Sequence, residues 1–346
     1  MVNSANAAHR RRVGAVPLAL AAVLVLVACE PIGDGESADA GTSGAASAAA
    51  SQPTGEGGQL VIATGGTGGV YYPLGGGLAN VIGDTIEGYT ATISETNASV
   101  DNMLLIQSGG ADIAFTLGDT ASDAVNGVAD FEGDPVDACA LGRIYDNFTQ
   151  LVASSEAGVA SVADLAGKRV SLGSPGSGTE VIGLRILEAA GIDPDSGIER
   201  QQLGVTETVE ALRDGTIDAG FWSGGLPTGA LTEYATSGEM VIVPTGEHAA
   251  AMSDAYGEFY IEDAIPANTY DGQEADVSTV VVPNVLVVNT STSEDLQRAL
   301  TALLFEQKDA LVAVHPAAEA LDPVAAQEVG FMDLCPGSQA YYDEAG

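Results

Sequence analysis

The chain has 346 residues and a formal net charge of −37, with 48 acidic but only 11 basic residues. Binding to nucleic acid needs a basic surface, so this composition excludes a nucleic-acid-binding protein. Such an excess of acidic residues suits a salty environment that screens their mutual repulsion, or it reflects a habit of the lineage without functional content.

The first 28 residues have the pattern of a secretory signal peptide. A basic cluster at 10–12 precedes an apolar run over 13–28, which is too short to span a bilayer. The run ends in the sequence LVAC at 26–29, which resembles a lipobox, so we expect Cys29 to be acylated and to begin the mature chain. The alternatives are a plain signal peptide with a chance cysteine, and a twin-arginine signal at the basic cluster.

Residues 29–58 are rich in Gly, Ser, Ala and acidic side chains and cannot bury enough apolar surface to fold. We therefore predict a lipid-attached, disordered tether and a folded part that begins near Gln59. Cleavage before Cys29 leaves eight basic residues against 48 acidic ones, a net charge of −40. We expect the protein outside the cytoplasm, anchored by lipid to the outer face of a bacterial cell membrane.

The folded part begins with a strand and a glycine-rich loop, and strands and helices then alternate. Strands are predicted at 60–63, 90–94 and 111–115, and helices at 72–83, 98–108 and 119–125. This order is typical of a parallel or mixed sheet covered by helices.

The pattern then restarts after a turn at 161–168. Strands are predicted at 169–172, 201–203, 219–222 and 240–243, and helices at 180–190, 206–213 and 227–237. A β-branched run at 280–288, with Pro283 in it, is interpreted as a strand that returns to the first unit. Helices at 293–305 and 308–315 follow.

The sequence thus predicts two α/β lobes, one formed by 59–150 and 280–346 and the other by 151–279. The chain is expected to cross between them near 149–156 and near 268–282. Ligands of open α/β sheets bind beyond the carboxyl ends of the strands, near helix N-termini. Two such edges that face each other would make an interlobe cleft suited to an anion.

Each lobe has a glycine loop after its first strand. The loop at 65–69 lacks both Walker A and GxGxxG spacing, so we interpret it as a source of N–H groups, with Thr67 and Tyr71 pointing into the cleft. In the loop at 174–179, Ser177 or Thr179 is expected to cap the next helix and leave donors for an anion. The alternatives are a flexible connection in the first case and capping alone in the second.

A third helix start lies at 96–102, where Asn97 or Ser99 is expected to act as the cap. No GxSxG elbow occurs in the folded part, and its two histidines, His248 and His315, stand far apart in the sequence and are interpreted as structural. No His, Cys, Asp or Glu cluster has the spacing of metal ligands. The sequence therefore predicts neither an enzyme, nor a metal site, nor a cofactor.

Two cysteines remain after acylation, Cys139 and Cys335. An extracytoplasmic location permits a disulfide between them, and two separate buried thiols are the alternative.

Several segments resemble the TAXI family, the solute-binding subunits of one branch of TRAP transporters. The matching segments are ATGGTGGVYYPLG at 63–75, SVDN at 99–102, SGGADIAF at 108–115, DLAGKRV at 164–170, PGSGTE at 175–180, DGTIDA at 214–219, and PG at 336–337 with YY at 341–342. They cover nearly all of 59–346 in the family's order.

This resemblance implies a type II periplasmic-binding-protein fold that closes like a hinged clamp and acts as a monomer. It implies delivery to a TRAP permease driven by an ion gradient, commonly Na⁺, with glutamate or 2-oxoglutarate-like acids as ligands. Carried over by position, the ligand-binding set is Thr67, Gly69, Tyr71, Ser94, Ser174, Ser177, Gly178, Thr179 and Trp222.

The chain departs from the family in two places. The stretch IYDNFTQ at 144–150 replaces a Tyr-Pro-Glu-like stretch and a histidine, and Cys335 replaces a late histidine before Pro-Gly. The unusual Cys335 favours a bridge to Cys139. A sensor that serves a receptor, and less readily a secreted enzyme, are the rival functions.

Overall fold

The computed structural model describes residues 57–345. The predicted signal peptide over 1–28, the lipid attachment at Cys29 and the tether up to residue 56 lie outside the described residues. Gly58, the last residue of the predicted tether, is instead the first residue of a strand. No helix in the described part is long and apolar enough to cross a membrane.

A mixed sheet of ten strands forms the centre of the described part. Its strands are β1 (Gly58–Ala63), β2 (Tyr89–Ser94), β3 (Ile113–Leu117), β4 (Ala138–Ser154), β5 (Arg169–Ser171), β6 (Glu199–Gln201), β7 (Ala219–Gly224), β8 (Met240–Val243), β9 (Ile261–Ile265) and β10 (Val277–Asn289). The order is β2-β1-β3-β10-β4-β7-β5-β6, with β8 paired to β4 and β9 to β10.

The long strands β4 and β10 divide this sheet into two halves. The first half-sheet consists of β2, β1 and β3, which pair in parallel, together with β10 and the first part of β4. The second half-sheet consists of β7, β5 and β6, also paired in parallel, with β8, β9 and the last part of β4. β4 changes its partner from β10 to β7 at Phe148.

Helices cover both half-sheets. In the described residues they are α1 (Tyr71–Thr85), α2 (Ser99–Ser108), α3 (Gly118–Asn126), α4 (Gly178–Ala189), α5 (Val205–Arg213), α6 (Gly229–Ala235), α7 (Ala249–Tyr256), α8 (Glu294–Glu306), α9 (Lys308–Val314) and α10 (Pro336–Ala345).

Each half-sheet has its own apolar core. On the first, α1 buries Leu74, Leu78 and Ile82 at helical spacing, and they belong to the same core as Leu60 and Ile62 of β1.

The second half-sheet repeats this arrangement with α4. Its buried Ile182 and Ile186 share a core with Val170 of β5 and Phe221 of β7. Val181 of the same helix belongs instead to a core of the first half-sheet, with Val100 of α2. Apolar contact therefore joins α4 to both halves.

The sequence pattern did not reveal four elements of the fold, and it predicted one of two helix caps correctly. The 17-residue strand β4 was not predicted, nor were β9, α7 and α10. The predicted cap of α2 by Asn97 or Ser99 is wrong, because the N-cap is Ala98, with a φ of 85° and no side-chain cap bond. The cap of α4 is confirmed, since Ser177 Oγ accepts from Glu180 N at 3.1 Å.

Candidate ligand-binding cleft

A cavity of about 880 Å³ lies where the two half-sheets meet. Its wall is formed by the loop at 65–69 after β1, the loop at 174–179 after β5, the carboxyl end of β7, and the N-terminal ends of α2 and α5. These are strand carboxyl ends and helix N-termini, the edges at which α/β proteins bind ligands. The volume fits a small solute.

All nine residues of the ligand-binding set implied by the resemblance line this one cavity. They are Thr67, Gly69, Tyr71, Ser94, Ser174, Ser177, Gly178, Thr179 and Trp222. The first four come from the first half-sheet side and the other five from the second. Whether they contact a ligand stays a prediction.

The glycine loop at 65–69, on the side of the first half-sheet, contacts elements of the second half-sheet. A Cβ added at Gly68 would lie 2.7 Å from Thr206 Oγ1, and one at Gly69 would lie 3.0 Å from Cη2 of Trp222. The Trp222 indole is held in place because its Nε1 donates to Thr228 Oγ1 at 3.0 Å. Glycine at both positions lets the loop approach α5 and β7 this closely.

The N-terminus of α2 makes a second contact between the halves. The backbone N–H groups of Val100 and Asp101 donate to the carbonyl oxygen of Gly176 at 3.2 and 3.3 Å. Ser99 Oγ accepts from Leu117 N at 3.2 Å instead of capping its own helix. The donors of this helix end therefore bond the opposite loop, and they are not free to hold a ligand.

The loop at 174–179 is fixed by its own contacts. Gly176, with a φ of +72°, donates its N–H to Glu180 Oε2 at 2.8 Å. The other carboxylate oxygen of Glu180 accepts from Arg200 and Gln202. The loop is thus oriented before any ligand arrives, with Ser177 capping α4 at the cavity wall.

The floor of the cavity holds polar residues that the sequence did not indicate. Asn147 of β4 and Ser223 of β7 both line the cavity, and their side chains are 3% and 6% exposed. Asn284 of β10 lies behind them, fully buried. Asn147 and Asn284 are 137 positions apart in the sequence and meet only because β4 pairs with β10. No local sequence pattern could therefore indicate them.

The charged residues of the wall are all acidic. Glu95, Asp101 and Glu207 line the cavity, and no lysine, arginine or histidine does so among the described residues. An anion bound here would be held by hydroxyls, amides and helix ends, which are neutral dipoles.

The histidines lie elsewhere. His315 Nδ1 accepts from Ala317 N at 3.1 Å, and burial lowers the pKa of this imidazole. His248 forms the N-cap of α7. Neither lines the cavity, so the described wall has no histidine that could act as a base on a bound solute.

The two cysteines are joined. Cys139 of β4 and Cys335, directly before α10, form a disulfide with their sulfur atoms 2.04 Å apart. It attaches the C-terminal helix to the first half-sheet, outside the cavity.

Within the described residues, no group of three or more His, Cys, Asp or Glu side chains is placed to hold a metal ion.

Residues 62–346 match the model of the NMT1-like family. Among solved structures, a phosphonate-transporter binding protein from Pseudomonas aeruginosa matches with a TM-score of 0.50 and 12% identity, over 77% of this chain and 79% of that one. The periplasmic aliphatic sulphonate binding protein SsuA from Escherichia coli matches with a TM-score of 0.45 and 15% identity, over 83% and 90%. At 12% identity the likeness to the phosphonate-transporter binding protein concerns the fold alone, and the predicted fold class, that of the type II periplasmic binding proteins, is confirmed.

Proposed function

Because this chain belongs to the NMT1-like family, we propose that it is an extracytoplasmic solute-binding protein that holds a small organic anion in the cavity between its two half-sheets. The observation that carries this proposal is the cavity itself, about 880 Å³ and lined from both sides by hydroxyls, glycine loops and a helix N-terminus. No nucleophile with a neighbouring base appears among the described lining residues, which favours binding over catalysis.

The proposed ligand is a small carboxylate such as glutamate or 2-oxoglutarate. Ser177 and Thr179 stand at the N-terminus of α4, where the helix dipole favours negative charge. Exclusion of water from a closed cavity strengthens hydrogen bonds between such groups and a carboxylate. The overall charge of the chain opposes the approach of an anion, and salt would have to screen it.

The proposed motion is a hinge about β4 and β10, between lobes at 59–150 with 280–346 and at 151–279. These two strands carry the chain between the half-sheets. The contacts of Gly68 and Gly176 across the cavity are typical of a closed state, which a ligand would populate by binding both walls.

The proposed partner is a TRAP permease, on the resemblance of the motifs at 63–75 and 175–180 to TAXI proteins. The proposed location is the outer face of the cell membrane, with a lipid on Cys29. Uptake that depends on this protein and stops when the sodium gradient is dissipated would support a TRAP partner. Uptake that stops only when ATP is depleted would instead indicate an ATP-driven transporter.

Thermal unfolding tests the binding function. The purified protein is unfolded with glutamate, glutamine, 2-oxoglutarate, succinate or lactate, and with sugars and amines as controls. A solute at 100 times its Kd should stabilise the fold by about 2.7 kcal/mol. Stabilisation by sugars or amines alone would contradict the anion, and stabilisation by nothing in the panel would contradict the binding function.

A further inference from the structure

We infer that the cavity floor is a surface of hydrogen-bond donors that selects an ionised acid group. A row of hydrogen bonds produces this surface, because each member donates to the next, from Tyr71 through Asn284 and Asn147 to Ser223. In this row Asn147 and Ser223 contact the ligand, while Tyr71 and Asn284 position them. The inference rests on the proposed solute-binding function and names the part of the cavity that sets its ligand class.

The direction of the row is set at Asn284. One side-chain atom of this amide lies 3.3 Å from the carbonyl oxygen of Tyr145, which can only accept, so that atom is the amide nitrogen. The amide oxygen then faces the hydroxyl of Tyr71, which must donate to it. Burial raises the pKa of Tyr71, so its hydroxyl keeps the proton that this bond needs.

The next two links follow from this orientation. The nitrogen of Asn284 also donates to Asn147 Oδ1 at 2.7 Å, so the oxygen of Asn147 faces β10. Its nitrogen therefore faces β7 and donates to Ser223 Oγ at 3.3 Å. The Ser223 oxygen is an acceptor in this bond.

A neighbouring pair of hydroxyls has the same polarity. Thr179 Oγ1 accepts from the backbone N–H of Ser223 at 3.2 Å, and Ser177 Oγ accepts from Glu180 N at 3.1 Å. Each of these hydroxyl oxygens already accepts a hydrogen bond, so the hydroxyl proton is left without an acceptor.

Four protons are thus left over at the floor. They belong to the hydroxyls of Ser177, Thr179 and Ser223 and to the second N–H of Asn147, and no residue of the described chain accepts them. The four side chains are between 3% and 6% exposed and all line the cavity. A buried proton without an acceptor costs about 1–3 kcal/mol, so a bound ligand has to supply acceptors here.

An ionised acid group meets this requirement. A carboxylate or sulfonate brings two or three oxygens that accept hydrogen bonds and has no proton of its own. The matching amide has only one accepting oxygen and places the protons of its NH₂ group where the acid has a second acceptor, and an ammonium has no lone pair to offer. The floor therefore distinguishes an acid from its amide even though no cationic side chain lines the described wall.

The test is Asn147→Asp, which keeps the shape of the side chain but replaces its donor nitrogen by an acceptor oxygen. The Ser223 proton then turns to the new carboxylate, and two of the four donors are lost. We expect the Kd for succinate and glutamate to rise about 10- to 100-fold, the range of a hydrogen bond to a charged group. The Kd for succinamide, which has two amides and no acid group, should rise less, so the preference for acid over amide falls at least about tenfold.

Two further variants make this result specific. Asn126→Asp adds the same charge, but Asn126 is exposed, bonds only Ser122 and does not line the cavity. Its acid-to-amide ratio should stay within about threefold of the wild type, since exposed charges are well screened. Ser223→Ala removes the hydroxyl at the end of the row, while the Asn147 N–H that donated to it stays directed at β7. One donor to the ligand is lost without added charge, so acid binding should weaken about tenfold.

The binding results distinguish a failure of the donor row from a failure of the proposed solute-binding function. An acid that binds the wild type and binds Asn147→Asp equally well, with an unchanged ratio, would overturn the row of donors and leave the binding function standing. Propanesulfonate is included among the acids. Binding of an amine or a sugar but of no acid would also overturn the row of donors and leave a solute-binding function standing. Binding of none of the probes would overturn both.

Discussion

At the scale of single residues, Ser177 combines two roles. Its oxygen caps α4, and its side chain lines the cavity. We expect Ser177→Ala to lower the free energy of unfolding by about 1 kcal/mol through the lost cap, and to weaken ligand binding as well. Urea denaturation and a ligand titration measure the two effects separately.

Ser293→Ala is the matched control for this prediction. Ser293 caps α8 in the same way, through Leu296 N at 3.4 Å, but it does not line the cavity. We expect a similar loss of stability and an unchanged Kd. Equal effects of the two substitutions on the Kd would mean that Ser177 acts on the ligand only through stability.

Three buried charges lie where α3 meets α4. Arg185 Nη2 bonds Asp123 at 2.6 Å, and Asp119 accepts from the Tyr260 hydroxyl at 2.7 Å. Burial raises the pKa of Asp123 to about 6, against the opposing charge of Arg185. The pKa of Asp119 is raised as well, by the same cause.

This arrangement predicts a pH dependence of stability. An aspartate has a pKa of about 3.9 when unfolded, so between pH 4 and pH 6 the folded protein binds the Asp123 proton more tightly than the unfolded chain does. The binding of that proton contributes its whole share to the free energy of unfolding below pH 4, and this contribution is lost as the pH rises through 6. We expect wild type to lose roughly 2–3 kcal/mol relative to Asp123→Asn over this window.

The measurement is urea denaturation of both proteins at a series of pH values. Asp309→Asn removes one exposed carboxylate of α9 and controls for the change in net charge. A difference between wild type and Asp123→Asn that does not change between pH 4 and pH 6 would contradict the raised pKa.

At the scale of elements, the loop between β1 and α1 depends on how closely it approaches α5. A methyl group at Gly68 would collide with Thr206 and Val205, whereas one at Gly76 would meet nothing within 4 Å. We expect Gly68→Ala to hold the two walls apart and weaken ligand binding about tenfold, and Gly76→Ala, in α1 and away from the cavity, to leave the Kd unchanged. Small-angle scattering with ligand should show a larger radius for Gly68→Ala alone, and equal radii would contradict closure at this contact.

Most elements could be predicted from the sequence because their patterns are local. The helical spacing of Leu74, Leu78 and Ile82 and the glycine that follows α2 are visible in any window of a dozen residues. β4 could not be predicted in this way. It is buried on both faces for most of its length and carries Arg143 and Asn147 among apolar residues, so it shows no alternation.

The start of α2 shows a second limit. Asn97 and Ser99 have side chains that commonly cap helices. Ser99 Oγ instead accepts from the backbone N–H of Leu117 in the next strand, and the first N–H groups of the helix donate to the carbonyl oxygen of Gly176. Contacts that are distant in sequence replaced a local bond that sequence reasoning favours.

At the scale of the whole molecule, the two glycine loops could be predicted to share one cleft because both follow parallel strands. The nine residues carried over from the resemblance do line one cavity. The floor residues Asn147 and Ser223, with Asn284 behind them, could not be predicted, because their meeting depends on the register between β4, β10 and β7.

The disulfide closes the molecule over a separation of 196 residues. Loops of this length lose much chain entropy on cross-linking, so we expect Cys139→Ser combined with Cys335→Ser to lower the free energy of unfolding by about 2–5 kcal/mol. The ligand Kd should change little, since neither cysteine lines the cavity. Unfolding curves that coincide for the variant and wild type would contradict a formed bridge.

The central claim is that this cavity binds a small acid, and Trp222 offers a direct probe of it. It is the single tryptophan of the chain, and it lines the cavity. Titration of the protein with glutamate, 2-oxoglutarate and succinate should give, for at least one of them, a saturable change in tryptophan fluorescence with one site and the same Kd as calorimetry. Binding heat without any change at Trp222 would place the ligand elsewhere, and neither heat nor fluorescence change with any acid would contradict the account.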